Sequence, residues 1–280
     1  MARPLRVAAV QLRSGIDAEA NRIAATPLLR EAASAGARLV ATPEMTARLD
    51  RDRPRLRASL ARADLVAEQR AWARLAEELG VWLLLGSAPI PADEGRVFNR
   101  SHLFAPDGKL AATYDKINLF DVELGGGESY RESAGVAPGA RAVLTEGPMG
   151  VKLGLTICYD MRFGRLYRAL ANAGAEMIAI PSAFTVPTGK AHWETLIRAR
   201  AIETGCFVIA PAQGGVHEDG RATWGRSLIV GPWGEVLKAF DHDEPGVLVA
   251  DCDLDAVTAA RAKIPAWSRE GEFSAPENIA

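Results

Sequence analysis

Four times along this chain, a stretch with helical apolar spacing is closed by a glycine and followed by a short run rich in Val, Ile and Leu. The helical stretches are Ala18–Ala35, Arg55–Leu79, Leu166–Ala173 and Ala191–Thr204, closed by Gly36, Gly80, Gly174 and Gly205. A glycine there suits the left-handed residue that ends a helix. In the first stretch, Ile23, Leu28, Leu29 and Ala32 are placed to form the apolar face. The strand-length runs include Leu5–Leu12, Arg38–Thr42, Val81–Ile90, Val151–Cys158, Met177–Pro181 and Cys206–Ala212. They carry few polar residues, as strands buried on both faces should. Val97–Ala105 and Leu110–Tyr114 flank Pro106-Asp107-Gly108 and read as a hairpin, as do Arg226–Val230 and Glu235–Ala239. The pattern predicts an α/β protein with mixed strand pairing. No linker or repeat interrupts it, so one domain over residues 1–280 is the simplest organisation. Asp121–Gly139, with Gly125-Gly126-Gly127, reads as a long loop, a kind of segment that is often functional.

Charge and cysteine usage exclude several classes. The formal net charge of −2 and the pI near 6.1 give no electrostatic reason to expect nucleic acid or an anionic membrane. Three scattered cysteines, Cys158, Cys206 and Cys252, cannot form a disulfide framework. No apolar run is long enough for a secretion signal or a membrane span, so the expected location is the cytoplasm. The four histidines are isolated and no cysteine pair is close, so no metal site is expected. Serine-elbow, P-loop and dinucleotide glycine motifs are absent, and no cofactor is expected.

Chemically capable residues cluster at element ends. Arg38–Thr42 runs into Pro43-Glu44, Val151–Ile157 into Cys158-Tyr159-Asp160, and the first hairpin ends in Tyr114-Asp115-Lys116. In α/β sheets, sites gather where strands end. Singly, each residue has an ordinary reading: a turn carboxylate, a surface charge, a small buried hydrophobe. Only six of the 33 basic residues are lysines, which makes Lys116 less ordinary as surface charge. A Cys–His pair using His192 or His217 is a rival, since distant residues can meet on folding.

Three local strings, Ala41-Thr42-Pro43-Glu44-Met45, Tyr114 to Asp121 and Leu155 to Phe163, together resemble the nitrilase superfamily of carbon–nitrogen hydrolases. They occur in that family's Glu, Lys, Cys order, and further matching strings extend the resemblance from about residue 5 to about 265. The resemblance implies a four-layer αββα sandwich with mixed sheets, assembled as a homodimer or a higher homo-oligomer. It implies that Glu44, Lys116 and Cys158 are the catalytic residues, with Glu132 beside them. The Cys158-Tyr159-Asp160-Met161-Arg162-Phe163 context resembles the amidase branch, which includes omega-amidases and deaminated-glutathione amidases. That branch implies substrate contacts at Tyr159, Arg162, Phe184 and Thr188, with Arg162 holding a substrate carboxylate. The ordinary reading of Arg162 is a structural salt bridge with Asp160, and that of His192 and Trp193 is core packing.

The implied reaction cleaves a small linear, carboxylate-bearing amide to carboxylate and ammonia through a cysteine thioester. A carbamoyl-cleaving member of the same superfamily and a binding protein without catalysis are the alternatives.

Overall fold

The computed structural model describes residues 3–125, 128–269, 271, 272 and 274. In chain order the first half forms β1 (Pro4–Gln11), α1 (Ala18–Ser34), β2 (Leu39–Ala41), α2 (Arg53–Arg62), α3 (Leu65–Leu79), β3 (Trp82–Pro91), β4 (Val97–Phe104) and β5 (Leu110–Asp115). A hairpin of β6 (Asp121–Gly125) and β7 (Glu128–Arg131) follows. The second half forms β8 (Val143–Glu146), β9 (Lys152–Leu155), α4 (Gly164–Asn172), β10 (Met177–Ala179), α5 (Val186–Thr204) and β11 (Phe207–Ala210). It ends with a short pair β12 (Gly214–Val216) and β13 (Ala222–Trp224), then β14 (Leu228–Val230), β15 (Val236–Ala239), β16 (Gly246–Asp253) and α6 (Asp255–Lys263).

Two six-stranded sheets result, ordered β16-β1-β2-β3-β4-β5 and β15-β14-β11-β10-β9-β8. In each, a central parallel trio is flanked by antiparallel strands, with Val7 opposite Leu39 and Met177 opposite Leu153 fixing the register. The two-residue period of β1 explains the layering. Leu5, Val7 and Ala9 enter the core shared by the two sheets, while Ala8 and Val10 face α1 and α3. On the far side, Leu170, Trp193 and Ile197 of α4 and α5 pack on the second sheet. Helix, sheet, sheet and helix therefore stack as the expected αββα sandwich. No helix among the described residues is long and apolar enough to cross a membrane.

Several local expectations need correction. Arg55–Leu79 is not one helix: the chain breaks at Ala63, and Asp64 caps a new helix by accepting a hydrogen bond from the Ala67 amide at 2.9 Å. Ile23 is 60% exposed and off the apolar face of α1, which is built instead on Ala25, Leu29 and Ala32. Helix α5 begins at Val186, five residues before Ala191, because Pro187 suits the first helical turn. The stretch from Asp121 contains the β6–β7 hairpin rather than loop alone; Gly126 and Gly127 lie outside the described residues.

Candidate active site

Four strand ends from both sheets converge on one cavity of about 700 Å³. Glu44 lies three residues beyond β2, Lys116 directly beyond β5, Cys158 three residues beyond β9, and Ala183 shortly beyond β10. The turn carrying Glu44 needs close backbone passage. A Cβ on Gly86 of β3 would stand 2.0 Å from the Thr42 carbonyl oxygen and 2.2 Å from that of Pro43, so only glycine fits. Ser87 Oγ then accepts the Met45 amide at 2.7 Å and fixes the turn.

Lys116 organises the charges. Its Nζ donates to Glu44 Oε1 at 2.9 Å and to both oxygens of Glu132, at 3.0 and 2.9 Å. Glu44 Oε1 also accepts from Asn99 Nδ2 at 2.8 Å, and its Oε2 accepts from the Ala183 amide at 2.8 Å. Glu132 further accepts from the Phe120 amide. Glu44, Lys116 and Cys158 are nearly sealed from solvent at 4%, 2% and 7% exposure, yet all three line the cavity. Burial alone would raise the Glu44 carboxyl. The Lys116 charge and hydrogen bonds from Lys116, Cys158 and Asn99 outweigh it and hold the group below the usual carboxylate range. Burial would likewise strip Lys116 of its proton, but the charges of Glu132 and Glu44 hold it well above the usual ammonium range. Burial pushes the Cys158 thiol well up, and the Glu44 charge pushes it further. The resting site is thus carboxylate, ammonium and neutral thiol.

Cys158 occupies a strained turn. Its φ of 49° is left-handed, a conformation that costs a non-glycine residue on the order of 1–3 kcal/mol. Its amide donates to the Pro181 carbonyl at 2.9 Å. Asp160, wholly buried, anchors the same turn. It accepts from Tyr114 Oη at 2.7 Å, the Ile157 amide at 2.9 Å, and the Asn118 amide and side chain at 2.9 and 2.8 Å. One carboxylate therefore ties the cysteine turn to the segment around Lys116. These commitments set aside the ordinary reading of Arg162 as a structural salt bridge with Asp160.

Arg162 instead donates toward His192 Nδ1 at 3.3 Å, with its guanidinium carbon 5.7 Å from the Tyr159 ring centre and 5.5 Å from that of Phe184. Tyr159, Phe184 and Thr188 line the cavity; Arg162 stands behind the first two. Trp193 is buried, donating from Nε1 to the Arg226 carbonyl at 2.7 Å, whereas its neighbour His192 is exposed. Neither His192 nor His217 lines the cavity, and His217 is held between the Ser14 carbonyl and Thr223 at 2.9 and 2.6 Å. Asn99, Asp160 and the Ala183 amide were not anticipated as site residues. The signal for Asn99 was present: it shares the inward face of β4 with Val97, Ser101 and Leu103, where a polar side chain needs a partner.

Comparison with known proteins gives the chain's family. The family described as carbon-nitrogen hydrolase matches residues 6–262. A deaminated glutathione amidase from Synechocystis sp. is 39% identical over 267 residues, covering 94% of this chain and 97% of that one. The crystal structure of Saccharomyces cerevisiae Nit3, a member of branch 10 of the nitrilase superfamily, superposes with a TM-score of 0.82 at 26% identity, covering 94% of this chain and 95% of that one. A Glu-to-Gln variant of an amidase from Nesterenkonia sp., with acrylamide added at its active-site cysteine, gives a TM-score of 0.78 at 26% identity over 93% and 98% of the two chains. By sequence and by fold alike, this chain belongs to the carbon–nitrogen hydrolases of the nitrilase superfamily.

Proposed function

We propose that the protein is a cysteine amidase acting on small linear amides that carry a carboxylate, with Glu44, Lys116 and Cys158 as its catalytic residues. The observation that carries this reading is the Lys116 ammonium held 2.9 Å from Glu44 on the cavity that also exposes the Cys158 thiol. Glu44, ionised at rest, takes the Cys158 proton as sulfur attacks the carbonyl carbon. Charge develops on the substrate oxygen, and Lys116 and the Tyr159 backbone N–H stabilise it. Protonation of Glu44 weakens its hold on Lys116 at the moment the oxygen needs a donor. Glu44 then gives its proton to the leaving nitrogen, the C–N bond breaks, and a thioester remains. Glu44 next takes a proton from water, hydroxide attacks the thioester, and the C–S bond breaks. Sulfur recovers its proton from Glu44.

Glu132 acts through Lys116, holding it charged and oriented. Arg162 is the partner for a carboxylate on the acyl side. Its guanidinium already rests against two rings of the cavity wall, and its long hydrogen bond to His192 is one that a carboxylate would displace. The relatives named for deaminated glutathione support an amidase of this class.

Single substitutions test the reading. Glu44→Gln lowers kcat by about 10²–10⁴-fold, the range for loss of a positioned general base. Cys158→Ala abolishes turnover and the trapping of a thioester, read by mass spectrometry after mixing with substrate. Full turnover by Cys158→Ala would defeat the mechanism.

A further inference from the structure

Off the cavity wall, against the turn that carries Glu44, lies a fully buried carboxamide. Gln213 stands between β11 and β12, is 0% exposed and does not line the cavity. Its side chain makes three bonds. Oε1 accepts the Ser14 amide at 3.0 Å, and Nε2 donates to Ser14 Oγ at 2.8 Å and to the Glu44 carbonyl oxygen at 3.0 Å. With an amide at one end and a carbonyl at the other, only one orientation of the carboxamide satisfies both. Ser14 Oγ passes the contact on, donating to the Thr46 carbonyl at 3.2 Å. The turn is thus held at two carbonyls, one directly and one through a hydroxyl.

The backbone of the same residue reaches the other end of Glu44. The Gln213 amide donates to the Ser182 carbonyl at 2.9 Å. That carbonyl and the Ala183 N–H belong to one peptide group, and the Ala183 N–H donates to Glu44 Oε2 at 2.8 Å. A peptide whose carbonyl accepts a hydrogen bond is polarised into a stronger donor. Gln213 therefore grips Glu44 at its main chain and at its carboxylate. The bonds close a ring between the two sheets, with Glu44 beyond β2 in one and Ser182 and Gln213 beyond β10 and β11 in the other.

We infer that Gln213 is a positioning residue for the general base, acting on the reaction only through Glu44. This role rests on the amidase reading above. Gln11 supplies the comparison for a purely structural glutamine. It too is 0% exposed and off the cavity wall. Its four side-chain bonds go to the His242 and Glu244 carbonyls and to the Ser227 amide and hydroxyl, none to the Glu44 turn.

Gln213→Met and Gln11→Met keep side-chain length, lose these bonds and lower the melting temperature. Assayed well below both melts with succinamic acid, Gln213→Met lowers kcat about 10- to 100-fold with KM within about twofold of the parent, as a misplaced catalytic group would. Gln11→Met keeps the parental kcat. Chloroacetamide gives a reading without turnover, since sulfur displaces chloride as Glu44 takes the thiol proton. Alkylation of Cys158, followed by mass spectrometry, slows about tenfold or more in Gln213→Met and stays parental in Gln11→Met. The acid limb of its rate moves up by about half a pH unit or more in Gln213→Met, because the Ala183 amide loses its aim on the carboxylate. Should Gln213→Met not fold, Gln213→Glu answers the same question: it keeps the shape and, ionised, offers the Glu44 carbonyl no donor, so kcat and alkylation fall together. Parental kcat and alkylation in the Gln213 variant, or equal losses in the Gln213 and Gln11 variants, overturn the positioning role. The expected alkylation pattern in a protein that releases no ammonia from succinamic acid defeats the amidase reading and leaves the positioning of Glu44 standing.

Discussion

Between Glu44 and Cys158, a proton rests on sulfur because two anions cannot share a buried site cheaply, even beside one ammonium. That distribution sets the pH dependence. Glu44 must be ionised to act as base, and its carboxyl is held below the usual range, so activity is lost only in strong acid. Thiol and ammonium are both held up, so their loss of protons comes only at high pH. The expected outcome is a kcat/KM flat from about pH 5 to about pH 9 with a non-titrating amide. A limb with an apparent pKa near ~6.5 would indicate a histidine base instead. The reactive residues were legible in the sequence because each stands just past a strand-like run, where its type is hard to explain by packing. Asn99 was not singled out, since its role exists only once β4 lies beside the turn after β2. Arg162 and Asp160 invited pairing by proximity along the chain, but Asp160 spends its oxygens on Tyr114, Ile157 and Asn118, which are placed by folding.

Elements meet at the site through few ties, and Asp160 is the densest of them. It joins the turn after β9 in one sheet to the segment after β5 in the other, so it sets the Cys158–Lys116 spacing without touching substrate. Asp160→Ala leaves several buried donors unpaired and should cost about 3 kcal/mol or more of stability. Asp160→Asn, which keeps shape and half the acceptors, should melt closer to the parent while kcat falls more than KM rises. Thermal melting and steady-state kinetics on both variants check this; an Asn variant with parental kcat would remove Asp160 from the positioning machinery. Element ends were legible where glycine adopts the left-handed conformation, at Gly80 and Gly205. The break between α2 and α3 was not, because apolar spacing continues across it. Only Asp64, a capping residue inside an apparent helix, marked the place. The β6–β7 hairpin was hidden by the Gly125-Gly126-Gly127 run, which outweighed the short alternation of Val122 and Leu124 with polar residues in β6.

Across the whole molecule, β4 shows how one strand serves two layers. Its Asn99 face enters the space between the sheets and holds Glu44, while its opposite face carries His102 and Phe104 toward α3. The alternation that announced the sandwich thus also placed a titratable ring in the helix-facing layer. His102 is 5% exposed, stacks parallel to Phe104 with ring centres 6.1 Å apart, and has no partner for Nδ1. Burial, helped by the nearby Arg100 charge, lowers its pKa from 6.5 to about 4. The unfolded chain therefore binds a proton on His102 between about pH 6.5 and pH 4 that the folded chain refuses. Stability must fall as pH drops through that window, by about 3 kcal/mol when complete. Because Nδ1 is unpaired, His102→Leu loses no hydrogen bond there and removes the titration. Urea midpoints followed from pH 7 to pH 4 should fall more steeply for the parent than for His102→Leu. Parallel curves would mean that the ring is protonated in the folded protein, and that water reaches the layer between β4 and α3.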